Sequence, residues 1–336
     1  MKDLFRLLLT IVLIFLVACS NQDQRPQVTI GTPKSVMASL TWLADDLGYF
    51  EEQGIDLTIK NHASGKVALD AMIAGSVDLA VSAETPFVIE SFNHDDLRLF
   101  ASLGQSDNEL HVLARLDHGI SSPDQLQGKI IGTQKGSAVH FFLSSFLLYY
   151  QLNEEDLVQI RFMPAVELVG ALKSGEIDAF SLREPFTSQA RREIGEDKLI
   201  NFHVPGLYTK TYNLVGNKEF TLKYPGVMPK ILLALHKAAI YSENHPKEFK
   251  DILFRRLQIP KVQIDAMLPD VRLGVTLNQG VLTTLHEEAA WAVSSGQVDP
   301  ASMENGKVLD FLSRLDTQPL QEALPDALGL IGINHE

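Results

Sequence analysis

The chain has 336 residues, a formal net charge of −13 and a single cysteine, Cys19. The acidic balance excludes nucleic acid and anionic membrane surfaces as principal partners, because both require a basic footprint. One cysteine excludes an internal disulfide and any cysteine-based metal centre.

Lys2 and Arg6 precede an apolar run from Leu7 to Ala18. The run is too short to span a bilayer and fits an export signal. It ends Leu16-Val17-Ala18-Cys19 and turns polar at Ser20-Asn21-Gln22. This resembles the bacterial lipoprotein signal, whose cysteine carries the lipid. The expectation is a signal peptide over 1–18, lipidation at Cys19 and a tether over 19–26. The protein is then exported and held at the membrane by its lipid, on the periplasmic side of the cell envelope. The chain beyond the tether is longer than one core usually fills, so two lobes are expected.

In chain order, Gln27 to Ile30 reads as a strand and a helix follows from about Ser35, closed by Gly48 and Gly54. Ile55 to Ile59 alternates as a strand, Val67 to Ile73 is helical, Val77 to Ser82 is a strand, and Ala83-Glu84-Thr85-Pro86 opens a helix. After the apolar stretch Glu109 to Arg115, Gly128 to Gly132 starts the same sequence of elements again. A helix from Ser137 to Tyr150, a strand from Asp156 to Met163, a helix from Val166 to Lys173 and a strand from Ile177 to Ser181 complete it. Short alternating units predict an α/β fold with mainly parallel sheets. Tyr224 to Asn244 is a long amphipathic helix, and the remainder reads as mostly helical packing on the first lobe.

The two halves echo each other. Ile30-Gly31-Thr32 returns as Ile131-Gly132-Thr133, and Ala71, Gly75 and Asp78 return one hundred residues later as Ala171, Gly175 and Asp178. Two alike lobes frame a cleft. Glu109 to Arg115 is expected to carry the chain across and Tyr212 to Gly216 to carry it back. This gives a first lobe of 27–112 plus 213–336 and a second of 113–212.

In open parallel sheets a ligand sits beyond the carboxyl ends of the strands. That rule brings together Thr32 and Ser35, then Ser82, Glu84 and Thr85, in one lobe. In the other it brings Gln134, Gly136 and Ser137, then Arg183 and Glu184. The Lys135-Gly136-Ser137 turn suits an oxyanion, with a close backbone approach and the unpaired N–H groups of a helix start. Arg183 offers a planar guanidinium to ligand oxygens, or alternatively a surface salt bridge with Glu184. Trp42 and His140 are secondary candidates, each also readable as structural. Metal-binding, nucleotide-loop, dinucleotide and nucleophile-elbow patterns are absent from the sequence, so no cofactor or metal is expected.

Several segments together resemble the solute-binding lipoproteins of ABC importers, in the nitrate, sulfonate and taurine group. They are Leu47 to Leu57, Ala74-Gly75-Ser76-Val77-Asp78, Gly128 to Ser137 with His140, Gly175 to Ala179, and Pro325-Asp326-Ala327-Leu328. The resemblance implies a two-lobed periplasmic-binding-protein-like fold of type II that closes on a ligand and hands it to a permease and its ATPase. The Lys-Gly-Ser loop followed by a histidine is most similar to the sulfonate and taurine branch, with Gly136 and Ser137 presenting N–H groups to an acidic head group. Arg183 stands where many relatives have an aromatic residue, which favours an oxyanion over a stacked ring. Glu84 pulls the other way, as a partner for a ligand amine or a repellent for a bare anion. A monomeric, non-enzymatic binding protein is expected. The alternatives are a binder of a thiamine pyrimidine precursor or a nitrate-like anion, or an enzyme of pyrimidine-precursor synthesis on the same fold.

Overall fold

The structure, a computed structural model, describes residues 25–152, 159–299, 301 and 309–331. The lipobox and Cys19 lie outside the described residues, as do the first residues of the strand expected from Asp156.

The first pass through the chain builds β1 (Gln27–Pro33), α1 (Leu40–Asp46), α2 (Tyr49–Glu52), β2 (Asp56–His62), α3 (Gly65–Ile73), β3 (Leu79–Ala83), α4 (Glu84–Ser91) and β4 (Leu97–Ser106). The chain then enters a second body with β5 (Leu110–Arg115), β6 (Ile130–Thr133), α5 (Ala138–Tyr149), β7 (Gln159–Phe162), α6 (Ala165–Ser174), β8 (Ala179–Arg183), α7 (Phe186–Ile194) and β9 (Leu199–Phe202). It returns through β10 (Lys210–Asn217), α8 (Lys218–Lys223), α9 (Val227–Asn244), α10 (Pro246–Leu257), α11 (Lys261–Met267), β11 (Arg272–Asn278), α12 (Gln279–Ser294), α13 (Gln318–Ala323) and β12 (Leu328–Gly329).

Two sheets result, in the orders β12-β11-β4-β10-β3-β1-β2 and β7-β6-β8-β5-β9. The parallel cores β2-β1-β3 and β7-β6-β8 follow from the short βα units. Neither sheet is mainly parallel, however. β10 runs antiparallel to β3 and β4, and β5 antiparallel to β8 and β9. The reason is topological: both strands begin where the chain has just crossed from the other lobe, so they run away from the cleft that the parallel strands run toward. Glu109 to Arg115 and Tyr212 to Gly216 therefore do not carry the chain across. Apart from Glu109, both stretches are paired strands of one sheet each, and the crossings lie just before them, at 107–109 and 203–209. The segment after residue 245 is not simply helical either, since β11 and β12 extend the first sheet.

The inner strand β3 is buried along its whole length, as a strand covered on both faces should be. The repeated aspartates do the same structural work twice. Asp78 accepts the Thr29 N–H at 2.8 Å and Asp178 accepts the Ile130 N–H at 2.9 Å. Each pins the start of its lobe's parallel core, a charge-assisted bond worth roughly 1.5–3 kcal/mol. The lobes also touch through aromatic edges. Trp291 of α12 meets His140 and Phe141 of α5 at centroid distances of 5.0 and 5.3 Å.

Candidate functional site

Two helix starts face each other between the lobes. In α3, Ser64 caps the helix by accepting the Val67 N–H at 3.3 Å, which leaves the N–H groups of the first turn before it unspent. Gly65 follows because nothing larger fits: a Cβ there would lie 2.8 Å from Tyr212 Cε1 and 3.1 Å from the Ala83 nitrogen. In α5 the Ser137 hydroxyl does not cap the helix. It donates to the Gln134 carbonyl at 2.6 Å, folding the loop back on itself. Between the two starts lies a cavity of about 20 Å3, bordered by Ser64 and Gly65, by Gln134 and Ser137, and by Arg183 and Lys210. That is room for a water-sized occupant, so a larger one requires the lobes to part.

Arg183 ends β8, one position inside the strand rather than beyond it, and is partly buried. Among the described residues no carboxylate pairs with it. Its guanidinium carbon lies over the Phe186 ring, 5.7 Å from the centroid, and its charge acts on Lys210. Glu184 is not its salt-bridge partner, because that carboxylate caps α7 by accepting the Thr187 hydroxyl and the Ser188 N–H. Lys210, the first residue of β10, is buried and paired with Glu109. Burial, the largest single influence, pulls the Lys210 ammonium down, but the Glu109 charge and hydrogen bond together with Tyr212 leave the net displacement upward. Lys66, on the same rim, is engaged by Asp70 at 2.9 Å. The cavity thus carries positive and N–H character from four directions. Among the described residues no carboxylate, imidazole or thiol borders it.

Of the expected site residues, Gln134, Ser137 and Arg183 come together at this cavity. Gly136 sits in the adjoining turn at φ +63°, 3.5 Å in projected Cβ contact from Ile89 of the opposite lobe. Ser35 and Glu184 border a second, larger space of about 370 Å3 next to it.

The remaining expected residues are turned elsewhere. Thr32 is fully buried beside Thr41, and Trp42 donates to Asn61 Oδ1 at 3.1 Å, so both serve the core. Ser82 is buried with its hydroxyl on the Ala83 carbonyl. Glu84 does not face the cleft, and its carboxylate is unavailable to a ligand amine. It accepts from Tyr208 at 2.5 Å and from the Thr211 N–H at 3.0 Å, deep under the second crossing. Thr85 donates to Glu288 at 2.6 Å in the same network. Burial raises the Glu84 carboxyl to about 7 and holds Glu288 well above the usual carboxylate range, with the Glu84 charge adding to the Glu288 shift. His140 is buried against Phe162 and Trp291, with Nδ1 accepting the Gly136 N–H at 3.4 Å. Burial, then the Lys135 charge, lowers it to about 4, so the ring is neutral and holds the loop rather than a ligand.

Sequence reasoning missed Ser64, Gly65, Lys210 and Tyr212. The strand-end rule applied to Thr32 and Ser82 also covers the loop after β2, and it would have found Ser64-Gly65. Lys210 belongs to a strand that starts at the cleft, and no local pattern marks that direction.

The sequence model of the family described as NMT1/THI5 like matches residues 39–249. A putative aliphatic sulfonates-binding protein of Bacillus subtilis (strain 168) is 24% identical over 335 residues, spanning 95% of this chain and 97% of its own length. Among solved structures, the periplasmic aliphatic sulphonate binding protein of Escherichia coli superposes with a TM-score of 0.70 at 19% identity, covering 86% of this chain and 91% of that one. The alkanesulfonate-binding protein of Xanthomonas axonopodis pv. citri, solved bound to MOPS, gives 0.72 at 18% identity, covering 86% and 97%. The fold is therefore that of the two-lobed periplasmic binding proteins, and with the family match extending over more than half of its length, the chain belongs to the NMT1/THI5-like family.

Proposed function

We propose that this protein is the extracytoplasmic substrate-binding component of an ABC importer, capturing a small anion, with a sulfonate favoured, and delivering it to a permease and its ATPase. The observation that carries the reading is Arg183: a partly buried guanidinium with no paired carboxylate among the described residues, bordering a cavity between two helix starts. A sulfonate spreads one permanent charge over three oxygens, matching a guanidinium fork on one side and backbone N–H groups on the others. The B. subtilis relative and the two solved structures carry sulfonate-binding descriptions, which supports the same ligand class. In this reading the two lobes part to admit the ligand, and the ligand favours closure by its greater affinity for the closed form. The cavity border of hydroxyls, amides and cations suits holding a ligand rather than converting it, so the protein is no enzyme. Cys19 carries the lipid that keeps it at the membrane, and it acts as a monomer.

Calorimetry on the chain from Cys19 onward tests this, with methanesulfonate, taurine, nitrate and a hydroxymethylpyrimidine as titrants. Saturable sulfonate binding, with the sulfonate recovered unchanged, is expected. Binding of nitrate or the pyrimidine alone, or chemical conversion of the ligand, overturns it.

A further inference from the structure

We propose that the first lobe carries a docking groove for a basic, extended peptide segment of a partner protein, which adds a strand to the open edge of β11. The groove lies wholly within the first lobe, so it is independent of whatever the cleft binds. β12 is a two-residue strand and pairs with β11 at Leu277 and Asn278 alone. Among the described residues, the stretch before it, Leu273 to Thr276, therefore has β4 on one side and no strand on the other. The register shift against β4 leaves Gly274 and Val275 without a paired residue there as well. A row of backbone donors and acceptors along a strand edge is matched by another extended chain better than by a small molecule. The far edge of the same sheet, β2, is blunted by Asp56 and Lys60, whereas Leu273 to Thr276 carries neither charge nor proline.

A cavity of about 590 Å3 borders the same stretch of β11. One face of α9 supplies a second wall through His236, Ala239, Ile240 and Glu243, and Ala323 to Ala327 close the space. Four residues of strand span about 13 Å, which sets the length of segment the edge can pair. Leu273, Ala239 and the exposed Ile240 offer an apolar seat for alternate side chains of such a segment. Its other side chains meet a negative border. Glu243 and Asp326 are exposed there, and among the described residues neither pairs with a cation and no lysine or arginine borders the groove. A two-fold pairing of two such edges would set Glu243 and Asp326 of one copy against those of the other, so like charges disfavour a second copy as the occupant. A basic strand removes that repulsion and fills the edge.

The test is calorimetry on the chain from Cys19 onward, with an acetylated, amidated hexapeptide of alternating lysine and valine as the probe. Saturable binding is expected, with hydrogen exchange slowed at the Gly274 to Thr276 amides, while a glutamate–valine hexapeptide fails to bind. Glu243→Lys/Asp326→Lys alters two exposed positions, so the melting temperature should hold while affinity for the lysine–valine peptide falls about tenfold. N-methylating alternate residues of the peptide gives two patterns. Only the pattern facing β11 should abolish binding, because a strand edge engages one hydrogen-bonding side of its partner. No binding, equal effects of the two patterns, or protection elsewhere than β11 overturns the proposal. Self-association of the chain that protects these same amides makes a second copy the occupant and overturns the basic partner.

Discussion

Glu109 and Lys210 form an ion pair that ties the end of the first crossing to the start of the first strand after the second. Both side chains are largely buried, so each is the other's main compensation for lost water. Lys210→Met is expected to destabilise the protein by about 3–5 kcal/mol, because it strands the Glu109 charge. The double variant Lys210→Met/Glu109→Gln is expected to regain most of that loss. Urea melts of the three proteins check this; a double variant no more stable than the single one refutes it.

Among the described residues no carboxylate pairs with Arg183, so its removal is expected to spare the fold and weaken the ligand. Arg183→Ala should reduce sulfonate affinity by roughly tenfold or more, the worth of one charge-assisted hydrogen bond or two. The melting temperature without ligand should stay near wild type. Unchanged affinity in calorimetry would remove Arg183 from the site.

Gly65 lets α3 begin against Tyr212 and the β3 backbone. A methyl group there meets Tyr212 Cε1 at 2.8 Å and backbone atoms at 3.1 Å. Gly65→Ala is expected to cost about 1–3 kcal/mol of stability and to displace the helix start, weakening sulfonate binding as well. A variant with wild-type melting and affinity would show that the start of α3 is not packed as described.

The Glu84–Tyr208–Glu288 network sets a pH dependence with a definite sign. Glu84 is raised to about 7 and Glu288 well above the usual carboxylate range, both mainly by burial. Between the ordinary carboxylate range and neutrality, the folded protein therefore holds more protons than the unfolded chain. Stability from this pair is present at low pH and lost as pH rises through that window. Glu288→Gln keeps an acceptor oxygen for Thr85 and Tyr208 and removes one titration. Its melting temperature should fall less steeply than that of the wild type between pH 5 and 8. Parallel slopes would show that the pair does not titrate there.

These residues also show what a sequence can and cannot disclose about such a fold. The spaced Gly75-Asp78 and Gly175-Asp178 were legible because they are local: a helix end followed by a carboxylate that returns to the neighbouring strand. Gln134, Ser137 and Arg183 were legible because strand ends follow from the same local order. Glu84 was misread for the opposite reason. Its partners Tyr208, Thr211 and Glu288 lie more than a hundred residues away in sequence, and only the return of the chain decides that its carboxylate turns inward. Lys210 was invisible for the same cause, since the direction of β10 depends on where the second crossing ends.

Tyr208 makes two unlike attachments. Its hydroxyl is fixed by hydrogen bonds to Glu84 and Glu288 in one lobe, while its ring rests edge-on against Phe141 of the other at 5.2 Å. Hydrogen bonds resist rotation and an edge contact between rings tolerates it. In mechanical terms the residue is a journal seated in one body and turning against the other. A swing of the second lobe about this residue would leave both of its hydrogen bonds intact, and just upstream Gly206 stands at φ +73° with no described atom within 4 Å of where its Cβ would be.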